Sequence, residues 1–151
     1  MTISDKGIDL ICEFEGFSEC PYVDPATKAE PITIGYGTTV YPSGVKVTMQ
    51  DAPITKVQGK EFIRHHVESK IIPNLSDLVL TQNQFDSVCS LIYNIGYGNF
   101  KSSTVLRLIR SGEYTPTNMR SAFCMWNKAN HVEMKGLTTR RNKEADLFLT
   151  V

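Results

Sequence analysis

Glu15, Asp24 and Thr33 place two carboxyl groups and a hydroxyl close together in the stretch EFEGFSECPYVDPATKAEPITIGYGTT, residues 13–39. Hydrolysis of a glycosidic bond needs one carboxyl to protonate the departing oxygen and a second group to prepare a water. Two acids and a hydroxyl on different elements around one cleft suit that reaction. Glu15 reads as the last residue of a helix, where the macrodipole leaves partial negative charge. Phe14 and Phe17 flank it. The helix end and desolvation both favour the protonated carboxyl that a general acid requires. The ordinary reading of Glu15 is an exposed helix-end residue. Asp24 precedes Pro25, a pairing frequent in turns, so it is either a turn former or the base that anchors the attacking water. Thr33 alternates with Ile32 and Ile34 and faces away from them. In a cleft its hydroxyl would hold the same water. Glu13 points to another helix face and is the control carboxylate.

The elements that must position these groups follow from pattern and punctuation. Residues 4–15 read as a helix with Ser4 as N-cap, an apolar face of Ile8, Ile11, Cys12 and Phe14, and Gly16 in a left-handed stop. Residues 20–48 are cut by prolines and glycines. Ile32-Thr33-Ile34 and Val45-Lys46-Val47 alternate as half-exposed strands do, so a small antiparallel sheet is expected, with Pro31 opening its central strand and TKAE as a turn. A helix over 55–70 is capped by Thr55, buries Val57, Phe62, Ile63, His66 and Val67, and ends at Pro73. Thr81-Gln82-Asn83-Gln84 is a capping box that opens a helix to about Asn94, with Phe85, Val88, Cys89, Ile92 and Tyr93 as its stripe. Further helices are expected near 101–111, 116–126 and 137–149. The fold class is α+β, a helix and small sheet followed by a larger helical part.

Composition fits a globular chain of 151 residues that is 41% hydrophobic. Its 16 basic and 16 acidic residues are unevenly spread. Residues 1–100 carry 7 Lys/Arg against 12 Asp/Glu, and residues 101–151 carry 9 against 4. Such polarity either focuses a charged polymer into a cleft or is a solvated surface that happens to be polarised. Cys12, Cys20, Cys89 and Cys124 form no CxxC pair and share no metal-ligand spacing with the three histidines. Buried free thiols are expected, with a Cys12–Cys20 bridge as the alternative outside a reducing compartment. His65, His66 and His131 read as structural or surface residues. Nothing in the sequence calls for a cofactor, a metal or nucleic acid. No apolar run is long enough to cross a bilayer, and MTISDKGIDLICEF lacks the order of a secretory signal.

The pattern E-G-x5-Y-x-D followed by T-I-G-Y-G resembles the phage-type lysozymes, glycoside hydrolase family 24. Glu15, Gly16, Tyr22, Asp24, Thr33, Ile34, Gly35 and Gly37 match in order. The resemblance continues through LTQNQFDSVCSLIYNIGYGNFKSSTVLRLI and AFCMWNKANHVEMKGLTTRRNKEADLF. It implies a single lysozyme domain over 1–151, with a helix-plus-sheet lobe (1–54), a connecting helix (55–80) and a helical lobe (81–151). It implies cleavage of the β-1,4 bond between N-acetylmuramic acid and N-acetylglucosamine in peptidoglycan. Glu15 becomes the general acid, and Asp24 and Thr33 position or activate the water. Attack from the face opposite the leaving group inverts the anomeric centre and needs carboxyl groups roughly 6.5–9.5 Å apart.

An arginine of the last helix approaches the acid in the family, and Arg140 and Arg141 both fit. Gln84, Phe85 and Asn94 fall in the segment that resembles the glycan-binding helix, and Arg141 is grouped with them as substrate-binding. Gln84 is equally the cap of its helix, and Trp126 is core packing or a sugar platform. Two departures stand out: the Asp24–Thr33 spacing is longer than the family's, and Thr38 stands where many relatives have His. The implied setting is a monomer, made in the bacterial cytoplasm without a signal peptide. A separately encoded holin-like protein then releases it to the wall in the periplasm. The alternatives are the same chemistry in a delivered antibacterial toxin, a non-catalytic peptidoglycan-binding module, and a lytic transglycosylase that needs the acid alone.

Overall fold

The computed structural model describes residues 1–25, 28 and 30–151. Helix α1 (Asp5–Glu15) starts at the Ser4 cap, whose hydroxyl accepts from the Gly7 amide. The same Ser4 donates its backbone N–H (3.0 Å) and its hydroxyl to Asp86 on α3 (Gln82–Ile95). Asp86 is fully buried. It tolerates that position because these bonds and one from Gln82 Nε2 satisfy it. A Cβ on Gly7 would lie 2.8 Å from Asp86 Cγ, so the start of α1 sits hard against α3. The helix that ends in Glu15 is thereby fixed at its far end.

Gly16 stops α1 with φ 70° and ψ 155°. The φ is positive, as expected, but ψ is extended rather than left-handed helical. The chain therefore leaves the helix straight into strand β1 (Ser18–Tyr22), which pairs antiparallel with β2 (Thr33–Gly35). Ser18 faces Gly35 and Tyr22 faces Thr33, with a bulge between. The Val45–Val47 stretch contributes only an isolated bridge, Val40 to Lys46. The expected TKAE turn lies partly on Thr27 and Ala29, outside the described residues.

Helix α2 (Lys56–His66) begins at the Thr55 capping box. Its buried stripe is Gly59, Ile63 and Val67, and Val57 is 72% exposed, contrary to expectation. Gly59 is the reason: a Cβ there would meet the Tyr36 ring at 3.0 Å and Phe17 at 3.2 Å. The bare backbone lets α2 lie directly on those rings, which turns Val57 outward. Past His66 the helix widens into a π-turn (Val67–Ile71) and then a 3₁₀ turn (Ile72–Asn74) that contains Pro73. The helical path therefore runs past the proline instead of stopping before it.

Helix α3 is the axis of the core. Phe85 through Ile92 are all buried, including Ser87 and Ser90. The expected helix near 101–111 is two pieces, α4 (Tyr97–Lys101) and α5 (Thr104–Ser111), separated by the Ser103 cap. Helix α6 (Pro116–Cys124) and helix α7 (Lys135–Leu149) pack on each other, and α7 packs on α3. A short hairpin, β3 (Lys128–Ala129) with β4 (Val132–Glu133), links them through Asn130 and His131, both at positive φ. Asn-His is a poorer turn signal than Asn-Gly, so the sequence hides this hairpin. One continuous apolar cluster joins α1, the Tyr36 segment and the helices.

The Gly59 contact yields a stability prediction. Gly59→Ala raises helix propensity yet overpacks Tyr36 and Phe17. We expect a net loss of about 1–2 kcal/mol, a fall in Tm of roughly 3–6 °C by calorimetry, against the rise that propensity alone would give.

Candidate active site

Glu15, Asp24 and Thr33 lie on adjacent elements. Glu15 is the last residue of α1. Thr33 opens β2 and is the Cα partner of Tyr22, the last residue of β1. Asp24 follows Tyr22 by two positions and is partly buried, and its carbonyl accepts from the Lys28 amide. The pairing of β1 with β2 thus brings the Asp24 and Thr33 segments together. Glu15 precedes β1, beside the end of the strand where Ser18 pairs with Gly35, and Asp24 and Thr33 stand at its other end.

Arg140 of α7, not Arg141, reaches Glu15. Its Nη1 donates to Glu15 Oε2 at 2.7 Å, with the arginine side chain 4% and the glutamate side chain 19% exposed. Charge-assisted contacts of this kind are the strong class of hydrogen bond. The other edges of the same guanidinium are engaged inside the protein. Nε donates to Glu144 Oε2 (3.2 Å) and Nη2 to the Ser90 carbonyl (3.1 Å). Phe14 lies against the guanidinium at 5.9 Å.

Arg141 is fully buried. Its Nη2 donates to Asn94 Oδ1 (2.9 Å), and its Nε lies 2.8 Å from Glu144 Oε1. That last contact is not aligned as a hydrogen bond, so it is Coulombic. Glu144 is fully buried and also accepts from the Ser90 hydroxyl. Burial pushes the Glu144 carboxyl up, and Arg141, Arg140 and the Ser90 hydroxyl pull against it. Burial pushes Arg141 down, and Glu144 opposes that. Two arginines and two glutamates thus form one compact charge cluster.

Opposite α7, Gly37 closes on the acid. A Cβ there would lie 3.1 Å from Glu15 Oε1, and its φ of 84° suits glycine. Tyr93 of α3 donates its hydroxyl to the Tyr36 carbonyl at 2.6 Å, which ties this segment to the core helix. Burial and the Glu15 charge both raise the Tyr93 hydroxyl. Beside Gly37 opens a cleft of about 270 Å³ lined by Thr38, Val40, Phe62, His66, Lys70 and Tyr93. A larger groove of about 550 Å³ runs between α1 and α7 past Glu13 and Lys143. Neither lining includes Glu15, Asp24 or Thr33; the smaller cleft adjoins Glu15 through Gly37, which lines it.

Other sequence candidates stand elsewhere. Gln84 caps α3 and touches the Tyr114 hydroxyl. Phe85 is core. Asn94 reaches the site's edge only through Arg141. Glu13 pairs with Lys143 on an outer face, as the control role requires. Trp126 packs at the margin of the core and offers its carbonyl to Arg141. The cysteines are free. Among the described residues, no cluster of His, Cys, Asp and Glu is placed to hold a metal. Glu144, Ser90 and Tyr93 stand against Arg140 or Glu15, and sequence reasoning does not single them out for the site. The available signal is charged and hydroxyl residues on the inward stripes of α7 and α3.

The family model described as phage lysozyme matches residues 12–144. The endolysin of Salmonella phage P22 is 35% identical over 152 residues, covering 99% of both chains. A crystal structure of a P22 lysozyme mutant superposes with a TM-score of 0.83 over 99% of both chains. The endolysin of Bacillus phage B103 is 34% identical over 99% of this chain, which spans 55% of that relative's length. The muramidase domain of SpmX from Asticaccaulis excentricus superposes with a TM-score of 0.80 at 32% identity, covering 99% of this chain and 98% of that one.

Two ion pairs link α1 to α7, and they differ in burial. Arg140→Met leaves Glu144 without one of its donors and Glu15 without its partner, and should cost about 3–5 kcal/mol. Lys143→Met removes an exposed pair and should cost at most about 1 kcal/mol. Urea unfolding of both variants measures the contrast.

Proposed function

We propose, for a chain that belongs to the phage lysozyme family, that it is a glycoside hydrolase acting on the β-1,4 bond between N-acetylmuramic acid and N-acetylglucosamine of peptidoglycan. The observation that carries this is the Glu15 carboxyl, partly exposed, held by a buried arginine and faced by Gly37 in the loop that follows the β1–β2 pair. Glu15 gives its proton to the glycosidic oxygen as the bond breaks. Asp24 accepts a proton from a water that the Thr33 hydroxyl helps orient. The water attacks from the face opposite the leaving group and the anomeric centre inverts. Arg140 fixes the acid and stabilises its carboxylate after proton loss.

In this reading the exposed Asn94 stands at the helical margin of the glycan site, and Arg141, fully buried and so out of reach of a glycan, holds it from inside. Gln84 and Phe85 shape the helix behind it. The chain acts as one monomeric domain of two lobes that meet along α2. It is made in the bacterial cytoplasm and reaches the wall once a separate holin-like protein has opened the membrane, leading to host lysis. No helix among the described residues is long and apolar enough to cross a membrane. The likeness to the muramidase domain of SpmX from Asticaccaulis excentricus favours a second setting: the same chemistry as one domain of a larger protein.

New reducing ends released from purified peptidoglycan test the reading. Wild type and Glu13→Gln should release them at similar rates, and Glu15→Gln should lose activity by about 10²-fold or more. A wild type that releases none would remove the hydrolase reading for this substrate.

A further inference from the structure

We propose that Glu144 is a positioning residue for the Glu15 carboxyl, acting through Arg140 as the counter-charge that limits how strongly that arginine holds the acid. The inference rests on the hydrolase function proposed for the same site. A guanidinium is planar, so fixing two of its edges aims the third. Glu144 takes Nε and the Ser90 carbonyl takes Nη2, which leaves Nη1 directed at Glu15. Glu144 is fully buried and makes no contact with the cleft. Its influence on the reaction therefore passes through Arg140.

Charge carries the argument further. Glu144 is faced by Arg140 and Arg141 from its own helix, by the Ser90 hydroxyl from α3 and by the Cys124 thiol from α6. Glu15 of α1 lies across Arg140. Arg140 and Arg141 set against Glu144 leave one positive charge in excess beside Glu15. Removing the Glu144 charge raises that excess, and Arg140 then pulls on Glu15 unopposed. A more positive surrounding makes a carboxyl release its proton at lower pH. A general acid works while it keeps its proton, so the alkaline limb of activity moves to lower pH. Removing the Arg141 charge has the opposite sign: Glu144 then neutralises Arg140 more fully, and Glu15 keeps its proton to higher pH.

The test is a carbon-13 carboxyl titration of Glu15 by NMR in the free protein, paired with the pH profile of kcat for reducing-end release. In Glu144→Gln we expect both the Glu15 midpoint and the alkaline limb to fall by about half a unit or more, with KM within about twofold of wild type. Arg141→Gln should move both upward. The double substitution, which removes one charge of each sign, should return them toward wild type. If one single variant does not fold, the other carries the test through its own sign. A lower melting point with an unmoved Glu15 midpoint would make Glu144 purely structural and overturn the proposal. The titration needs no turnover, so failure of the hydrolase reading would show separately, as absent reducing ends in wild type.

Discussion

Arg140 brings a permanent positive charge into the interior, and three helices answer it. Helix α1 supplies Glu15, α3 supplies the Ser90 carbonyl, and α7 supplies Glu144 four residues along. A buried charge left partly unpaired would cost several kcal/mol. The arrangement of α1, α3 and α7 is therefore constrained to keep all three contacts at once. Polar groups at the α1–α3 crossing reinforce this, because Asp86 satisfies the Ser4 cap from inside the core. Helix α1 is therefore held at both ends, at its start by Asp86 and at Glu15 by Arg140. For the proton donor proposed here such fixing matters, since a misplaced acid loses rate steeply.

The sheet side is held by different means. Gly37 and Gly59 remove side chains where backbone must approach Glu15 and Tyr36. Tyr93 then binds the Tyr36 carbonyl and ties the loop after β2 to α3. Each lever acts on the same few ångströms around the acid. The charge cluster holds it from the helical side and the glycine-rich loop from the other.

Much of this is legible in the sequence because the signals are local. The Thr55 cap and the Thr81 capping box mark helix starts by residue type alone, and both helices begin there. Glu15, Asp24 and Thr33 are readable through their flanking glycines, Tyr22 and the T-I-G-Y-G run. What escapes depends on long-range contact. The roll of α2 that exposes Val57 is set by Tyr36 and Phe17 packing on Gly59. The choice between Arg140 and Arg141 turns on one helical position, about 100° of rotation, against partners far away in sequence. Arg141 is the interior neighbour of Glu144 and Asn94 rather than the partner of the acid. Glu144 itself looks like a solvated helix residue in the sequence, since an i, i+4 pair with arginine is ordinary on exposed helices.

The anomeric form of the freshly released N-acetylmuramic acid end, followed by NMR before mutarotation, tests the central claim most directly. A glutamic acid donor with water held on the opposite face predicts the α-anomer as the first product. The β-anomer, or an anhydro end formed without water, would contradict the roles of Asp24 and Thr33 in holding and activating that water.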